Sequence, residues 1–403
     1  MEGLVLLILE LILPLSLLAG AVVGVLAALF GALLEALLHL LPAAWRLTRW
    51  AASSLAARRV RRALLGAVAV LGFALILIQT VFFEPIVRRI AAAVQARAGI
   101  ELSFARASGN LLSGRVVLHE GSARRSSDPT AIFDVTAREM EVDVRLLSLL
   151  TGTVSIESVR VAGARGTYTR VSDVERPPRK PFQADVLRLE DVEIAWTLRR
   201  PDHPDFQLPL RIDRLEARPF SARDASFSVL FRSNAAGTLG GAPFAIATEG
   251  DGDGRRTTWT AERVPVRLMA DFLGEPFDWL SDGTADFKVT DAWRRGAKTE
   301  VDLHWTVVFR DPKAAVPDRI TGFRRTAAEG MVALINRKPK ELPLDFTLTL
   351  NGEGFMGSMS LEALELWNAV GDAVAAKLAE SMGLKPETGK KGLEWIKQRF
   401  RPK

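Results

Sequence analysis

From residue 100 to residue 355 the chain repeats one instruction: apolar side chains recur at every second position. Phe133, Val135 and Ala137; Met140, Val142, Val144 and Leu146; Leu208, Leu210 and Ile212; Phe227, Val229 and Phe231; and Phe346, Leu348 and Leu350 alternate with polar neighbours. Successive side chains of a strand point to opposite faces, so this period predicts strands with one apolar and one polar face. Clusters such as "HEGS", "RRSSDP", "VERPPRKP", "GTLGGAP" and "RDPKAAVPD" separate the runs and supply turn chemistry. The body is predicted to be a mostly antiparallel β domain of roughly a dozen strands with little helix.

The alternation breaks in a repeated way. Ala137, Met140 and Val142; Ile156, Val159 and Val161; Leu189, Val192 and Ile194; and Ile212, Leu215 and Ala217 each read apolar-x-x-apolar-x-apolar. The intervening pairs are Arg138 and Glu139, Glu157 and Ser158, Glu190 and Asp191, and Asp213 and Arg214. A slip of one residue would send all later side chains to the wrong face, so the pattern predicts bulges that restore parity while bending the strand. Repeated bends in one direction are expected to curl the sheet.

The N-terminal 84 residues have a different character. Gly3 to Leu41 is apolar except at Glu10, Pro14, Ser16, Glu35 and His39. One helix of that length would measure roughly 60 Å, about twice a bilayer's hydrocarbon core. The segment therefore reads as a helical hairpin bending between Pro14 and Gly20, or as a span preceded by a flat interfacial piece. Residues 43–62 carry Arg46, Arg49, Arg58, Arg59, Arg61 and Arg62 with no acid, followed by an apolar run over 63–83. The positive-inside rule places those arginines in the cytoplasm and everything after residue 84 across the membrane, in a periplasm if the cell is Gram-negative. Residues 85–99 read as a short amphipathic connector helix opened by Pro85 and stopped by Gly99.

At the other end, residues 356–403 read as amphipathic helices. Leu361, Leu364, Trp367, Val370, Val374, Leu378 and Met382 follow three- and four-residue steps. In "GKKGLEWIKQRFRPK", Leu393, Trp395, Ile396 and Phe400 stand among Lys397, Arg399 and other basic residues. That composition suits contact with an anionic membrane surface or an acidic partner.

Little in the sequence points to catalysis. The net charge of +6 is spread along the chain rather than massed, which argues against a nucleic-acid partner. With no cysteine, thiolate metal sites and disulfides are excluded. His39, His119, His203 and His304 are scattered, and "DGDG" at 251–254 lacks the third acid and closing Glu of a calcium loop. No phosphate loop or nucleophile elbow stands out. The expectation is a protein that is not an enzyme, with no cofactor and no metal.

Three stretches carry a family resemblance: "IELSFARASGNLLSGRVVLHEGSARR", "FDVTAREMEVDVRLLSLLTGTVSIESVRVAGARGTYTR" and "FDWLSDGTADFKVTDAWR". Together with the preceding apolar span, they resemble the AsmA-like family of envelope proteins, which includes TamB-type and chorein-related bridge-like lipid-transfer proteins. The resemblance implies a long curled antiparallel sheet over 100–355, forming a groove that binds phospholipid or another acyl lipid. Its lining falls on Val142, Val144, Val159, Val161, Val192, Ile194 and Trp196. It further implies an inner-membrane anchor at 1–84, a periplasmic domain, an envelope partner or self-assembly, and a role in phospholipid transfer or outer-membrane lipid homeostasis. The alternative reading is a scaffold or assembly factor for outer-membrane biogenesis that carries no lipid.

Overall fold

The computed structural model describes residues 83–98, 100–110, 113–126, 131–145, 156–171, 183–200, 203–221, 225–250, 255–273, 280–294, 300–316 and 341–351, together with Gly66, Glu329, Val332, Ala333 and Asn336. Fourteen strands form one sheet. They are β1 (Glu101–Ser103), β2 (Arg106–Asn110), β3 (Arg115–Arg125), β4 (Ala131–Val144), β5 (Ile156–Val171), β6 (Gln183–Arg200), β7 (His203–Ala217), β8 (Phe220–Ser221), β9 (Ser233–Leu239), β10 (Ala242–Glu249), β11 (Arg256–Pro265), β12 (Leu280–Arg294), β13 (Glu300–Ala314) and β14 (Glu341–Asn351). Among the described residues three helical elements accompany them: α1 (Phe83–Ala98), α2 (Ala225–Phe231) and α3 (Val266–Leu273).

Strand order follows chain order. The path runs β1-β3-β4-β5-β6-β7-β9-β10-β11-β12-β13-β14, with β2 beside β3 and β8 beside β6. All neighbours are antiparallel except β5 and β6, which run parallel. A parallel pair needs a long return connection, and residues 172–182, which supply it, lie outside the described residues.

Alternation builds one continuous apolar row across the sheet. Ala107, Leu118, Met140, Val161, Leu189, Leu215, Ala235, Ile246, Trp259, Val289, Trp305 and Phe346 are direct cross-strand neighbours from β2 to β14. All twelve are buried and belong to a single core cluster. The helices dress this core locally: α1 lies against β1 and β2, and α3 against β11 and β12. In α2, Phe231 packs edge-on to Trp259 at 5.0 Å and to Trp293 at 5.1 Å.

Phe227, Val229 and Phe231, which alternate as a strand would, lie in α2 instead. Both periods fit so short a run, and tertiary packing decides: the four-residue step stacks Phe227 on Phe231 at 5.4 Å and turns both rings toward Trp293.

The predicted breaks are real but do not have the expected consequence. Five strands carry two consecutive residues off the apolar row at the same level: His119 and Glu120, Arg138 and Glu139, Ala162 and Gly163, Glu190 and Asp191, Asp213 and Arg214. Glu120, Gly163 and Asp191 have φ of 50°, 64° and 52°, and Asp213 is bulged against β9. Glu157 is a separate bulge: Asp143 pairs with Ser158 and Val144 with Ile156, which leaves Glu157 unmatched on β4. The line stops at β9, where burial alternates strictly from Ser233 to Leu239. A second set, around Arg263 and Asp311, sits at a different level on β11 to β13. Bends that are interrupted and displaced do not add up to a curl.

The fold class expected from the sequence is therefore corrected: the sheet is mixed and largely open rather than curled into an antiparallel groove. The helices expected at both ends of the groove are also not part of what is seen. The apolar run over 3–41, the run over 63–82 apart from Gly66, and the segment 356–403 lie outside the described residues. No helix among the described residues is long and apolar enough to cross a membrane. The expected inner-membrane anchor, and the periplasmic localisation that depended on it, consequently have no support in the fold.

Candidate functional site

The polar face of β3 to β7 carries a lattice of arginine and carboxylate side chains. Arg160 on β5 donates to Glu139 on β4 at 3.0 Å and, through Nη2, to Glu190 on β6 at 2.7 Å. Arg188 on β6 reaches Glu216 on β7 at 2.9 Å, and Arg218 reaches the other oxygen of Glu216 at 2.6 Å. Arg165 donates to the backbone carbonyl of Asp191 at 2.7 Å and lies 3.2 Å from both the Asp191 and Glu193 carboxylates. Arg115 on β3 pairs with Glu141 on β4 at 2.7 Å. Apart from Arg218, which follows Glu216 by two residues, these partners lie on adjacent strands, where facing residues are close enough for opposite charges to meet.

The lattice sets the titration of its members. The hydrogen bond from Arg160 holds the Glu190 carboxyl below its ordinary range, and the bond from Arg188 does the same for Glu216. Burial pushes Asp143 the other way, with repulsion from Glu157 and Glu141 adding to it. On the far half, Asp302 is held low by the Thr349 hydroxyl at 2.6 Å and then by Arg294 at 2.8 Å. Glu190, Glu216 and Asp302 are occupied as hydrogen-bond acceptors and lock strands together.

One carboxylate stands on the apolar face. Asp291 on β12 is 1% exposed, at the inward position between Val289 and Trp293. It accepts from the Thr257 backbone N–H, and from the Trp293 indole at 2.6 Å. Burial raises its pKa despite these two donors. The Thr257 hydroxyl contacts Thr248 at 3.2 Å, and the Thr248 hydroxyl donates to the Ser233 carbonyl at 2.7 Å. This polar knot fastens β9, β10, β11 and β12 beneath α2.

The residues singled out from the sequence separate into two groups. Val142, Val144, Val159, Val161, Val192, Ile194 and Trp196 come together on β4, β5 and β6, each buried in the common core. Trp196 is 0% exposed and meets Phe206 edge-on at 5.7 Å. Leu393, Trp395, Ile396, Lys397, Arg399 and Phe400 lie outside the described residues, as do His39 and the turn at 251–254. His119 bonds the Ser108 hydroxyl at 2.9 Å, and His304 bonds Thr347 at 3.0 Å. Among the described residues no three His, Asp or Glu side chains converge as a metal site.

Two features escaped the sequence reading. Asp291 was legible in principle, since an acid at an inward position of a strand is out of parity. The arginine lattice was not, because its partners lie 20 to 30 residues apart and meet only once the register is known.

No protein-family model matches this chain, and no curated protein does. The resemblance to the AsmA-like family is corrected on that finding and on the open sheet. The expected groove function falls with it, because the side chains proposed to hold acyl chains are packed in a core and the described residues form no curled trough. Phospholipid and the inner membrane as partners, and the role in outer-membrane biogenesis, lose their basis for the same reason.

Proposed function

We propose that residues 83–351 serve as a non-catalytic spacer, a long sheet that holds the preceding and following segments of the chain at opposite ends. The observation that carries this reading is the agreement between strand order and chain order. The chain enters beside β1 and β2, through α1, and leaves at β14, the other end of the described path. Twelve strands on that path give eleven steps of ~4.8 Å, or roughly 50 Å between the ends.

A sheet used this way needs stiffness more than a reactive site. The continuous apolar row on one face and the arginine lattice on the other both act across strands, which is the direction along which a spacer is loaded. The polar groups of the lattice, and Asp291, are engaged in structural hydrogen bonds, which favours a structural role over acid–base chemistry.

Removing the β12–β13 hairpin, residues 280–314, tests the reading. It brings β11 next to β14 with the same antiparallel sense and shortens the spacer by two steps, ~10 Å. In a host lacking its own copy of the gene, the shortened chain is expected to fail to restore the phenotype, while Arg106→Gln, an exposed change outside the lattice, restores it. Full rescue by the shortened chain would overturn the spacer function.

A further inference from the structure

The two edges of the sheet are finished differently. At the first, the edge strand is broken into β1 and β2, three and five residues long, and α1 lies against both. Phe83 of α1 rests on Gly109, where an added Cβ would meet its ring at 2.9 Å. Arg88 of α1 donates to the Ala105 carbonyl at 3.2 Å and lies over the Phe104 ring at 4.9 Å. Short strands, a covering helix and a capped carbonyl blunt this edge against pairing.

The second edge is β14, eleven residues long, and among the described residues it pairs only with β13. Its polar side carries Glu341 and Asp345 and no Lys or Arg. Arg310 takes Glu341, but among the described residues no Lys or Arg reaches Asp345. Asp345 is 66% exposed and meets the Thr306 hydroxyl at 3.0 Å and His304 at 3.5 Å. On the apolar side Leu344 is buried, while Leu342 and Leu348 are only partly so. This edge therefore offers unpaired backbone, a carboxylate with no strong cation beside it, and a fringe of half-covered leucine.

The chain carries one segment with the matching signature. Residues 389–403 hold Lys390, Lys391, Lys397, Arg399, Arg401 and Lys403 against Glu394 alone, with Leu393, Ile396 and Phe400 among them. We propose that this segment docks on the open edge at β14, its basic side chains on Asp345 and the strand's outward carbonyls, its apolar side chains on Leu342 and Leu348. It does at this end what α1 and Arg88 do at the other, and the acidic partner that its composition suits belongs to the same chain. Tethering to the same sheet keeps it at high effective concentration. The edge needs cover whether or not the sheet sets a distance, so the docking does not rest on the spacer function.

Thr347→Cys and Gln398→Cys, spin-labelled in the otherwise cysteine-free full-length chain and diluted with excess unlabelled chain, report the docking. Pulsed distance measurement at low salt is expected to give a narrow distribution below about 25 Å, as for a neighbouring element. Asp345→Lys and 1 M salt should each reduce that population about fivefold, and Glu249→Lys, an exposed change on β10, should leave it alone. Asp345→Asn, of nearly the same shape, should reduce it about twofold and keeps the test open if Asp345→Lys fails to fold. A broad distribution centred near roughly 40 Å at low salt, as for a free tail of that length, would overturn the docking. So would a short distance seen only without the unlabelled chain, which would put a second copy on the edge, or one that neither salt nor Asp345→Lys changes.

Discussion

The two halves of the sheet solve the same packing problem with different materials. From β3 to β7 the strands are 11 to 18 residues long and the apolar row is built from Leu118, Met140, Val161, Leu189 and Leu215. From β9 to β11 the strands are 7 to 10 residues long, and aromatic rings take over. Trp259, Trp293 and Phe231 meet edge to face under α2, and Trp305 stacks on Phe346 at 5.9 Å. Strand length alone does not decide the material: Trp293, Trp305 and Phe346 stand on strands of 15, 15 and 11 residues, so rings enter across the second half as a whole.

Charge is distributed differently too. Both halves tie acids on the polar face with arginine, Arg294 to Asp302 and Arg310 to Asp286 in the second, but the second also places Asp291 inside. The lesson is that a bent aliphatic sheet and a covered aromatic one can share a single uninterrupted row.

Substitutions can break this comparison. Phe231→Ala removes the ring that joins α2 to Trp259 and Trp293, and is expected to cost about 3–5 kcal/mol in a urea melt. An equal loss from truncating an exposed ring would contradict its keystone role. Gly163→Ala, in the creased half, forces a side chain into a left-handed position against Arg138, and should cost about 1–3 kcal/mol. Arg160→Gln removes a bidentate but only half-buried clamp, for which the expected loss is about 1 kcal/mol or less, shrinking further in high salt.

Two single carboxylates, Glu190 in the first half and Asp291 in the second, should also respond to acid with opposite sign. Glu190 is held below its ordinary value of 4.5, so its contribution is present above that value and fades as pH falls through the lowered one. Asp291 is raised above 3.8, so its contribution is full below that value and is lost as pH rises through the raised one. Stability curves of the wild type against Glu190→Gln and Asp291→Asn between pH 3 and 7 should therefore diverge in opposite directions. Parallel curves would show that the two sites do not differ as described.

Much of the fold was legible in the sequence, for physical reasons. Parity marks faces wherever a strand is half-buried, so Phe133 to Val144, Leu208 to Ile212 and Phe346 to Leu350 were placed correctly. The doubled positions at 138–139, 190–191 and 213–214 were visible because an apolar residue resumes after each. Those on β3 and β5 were hidden, since Gly121 stands where an apolar side chain would resume and Ala162 with Gly163 offers no polar pair. What the pattern could not carry was alignment between strands. Four local bends look alike in one dimension, but Glu157 lies off the line that the other three share. Curl depends on that alignment, so the groove was an inference that parity alone did not support.

Chain order and strand order coincide, so the two ends of the sheet stay far apart. Spin labels at Glu101→Cys on β1 and Thr347→Cys on β14, in the full-length chain, test it directly. The account predicts a distribution centred near roughly 50 Å, and near ~40 Å once residues 280–314 are removed. A distance below about 25 Å, fewer than six strand spacings, would show that the sheet closes on itself and would contradict the account.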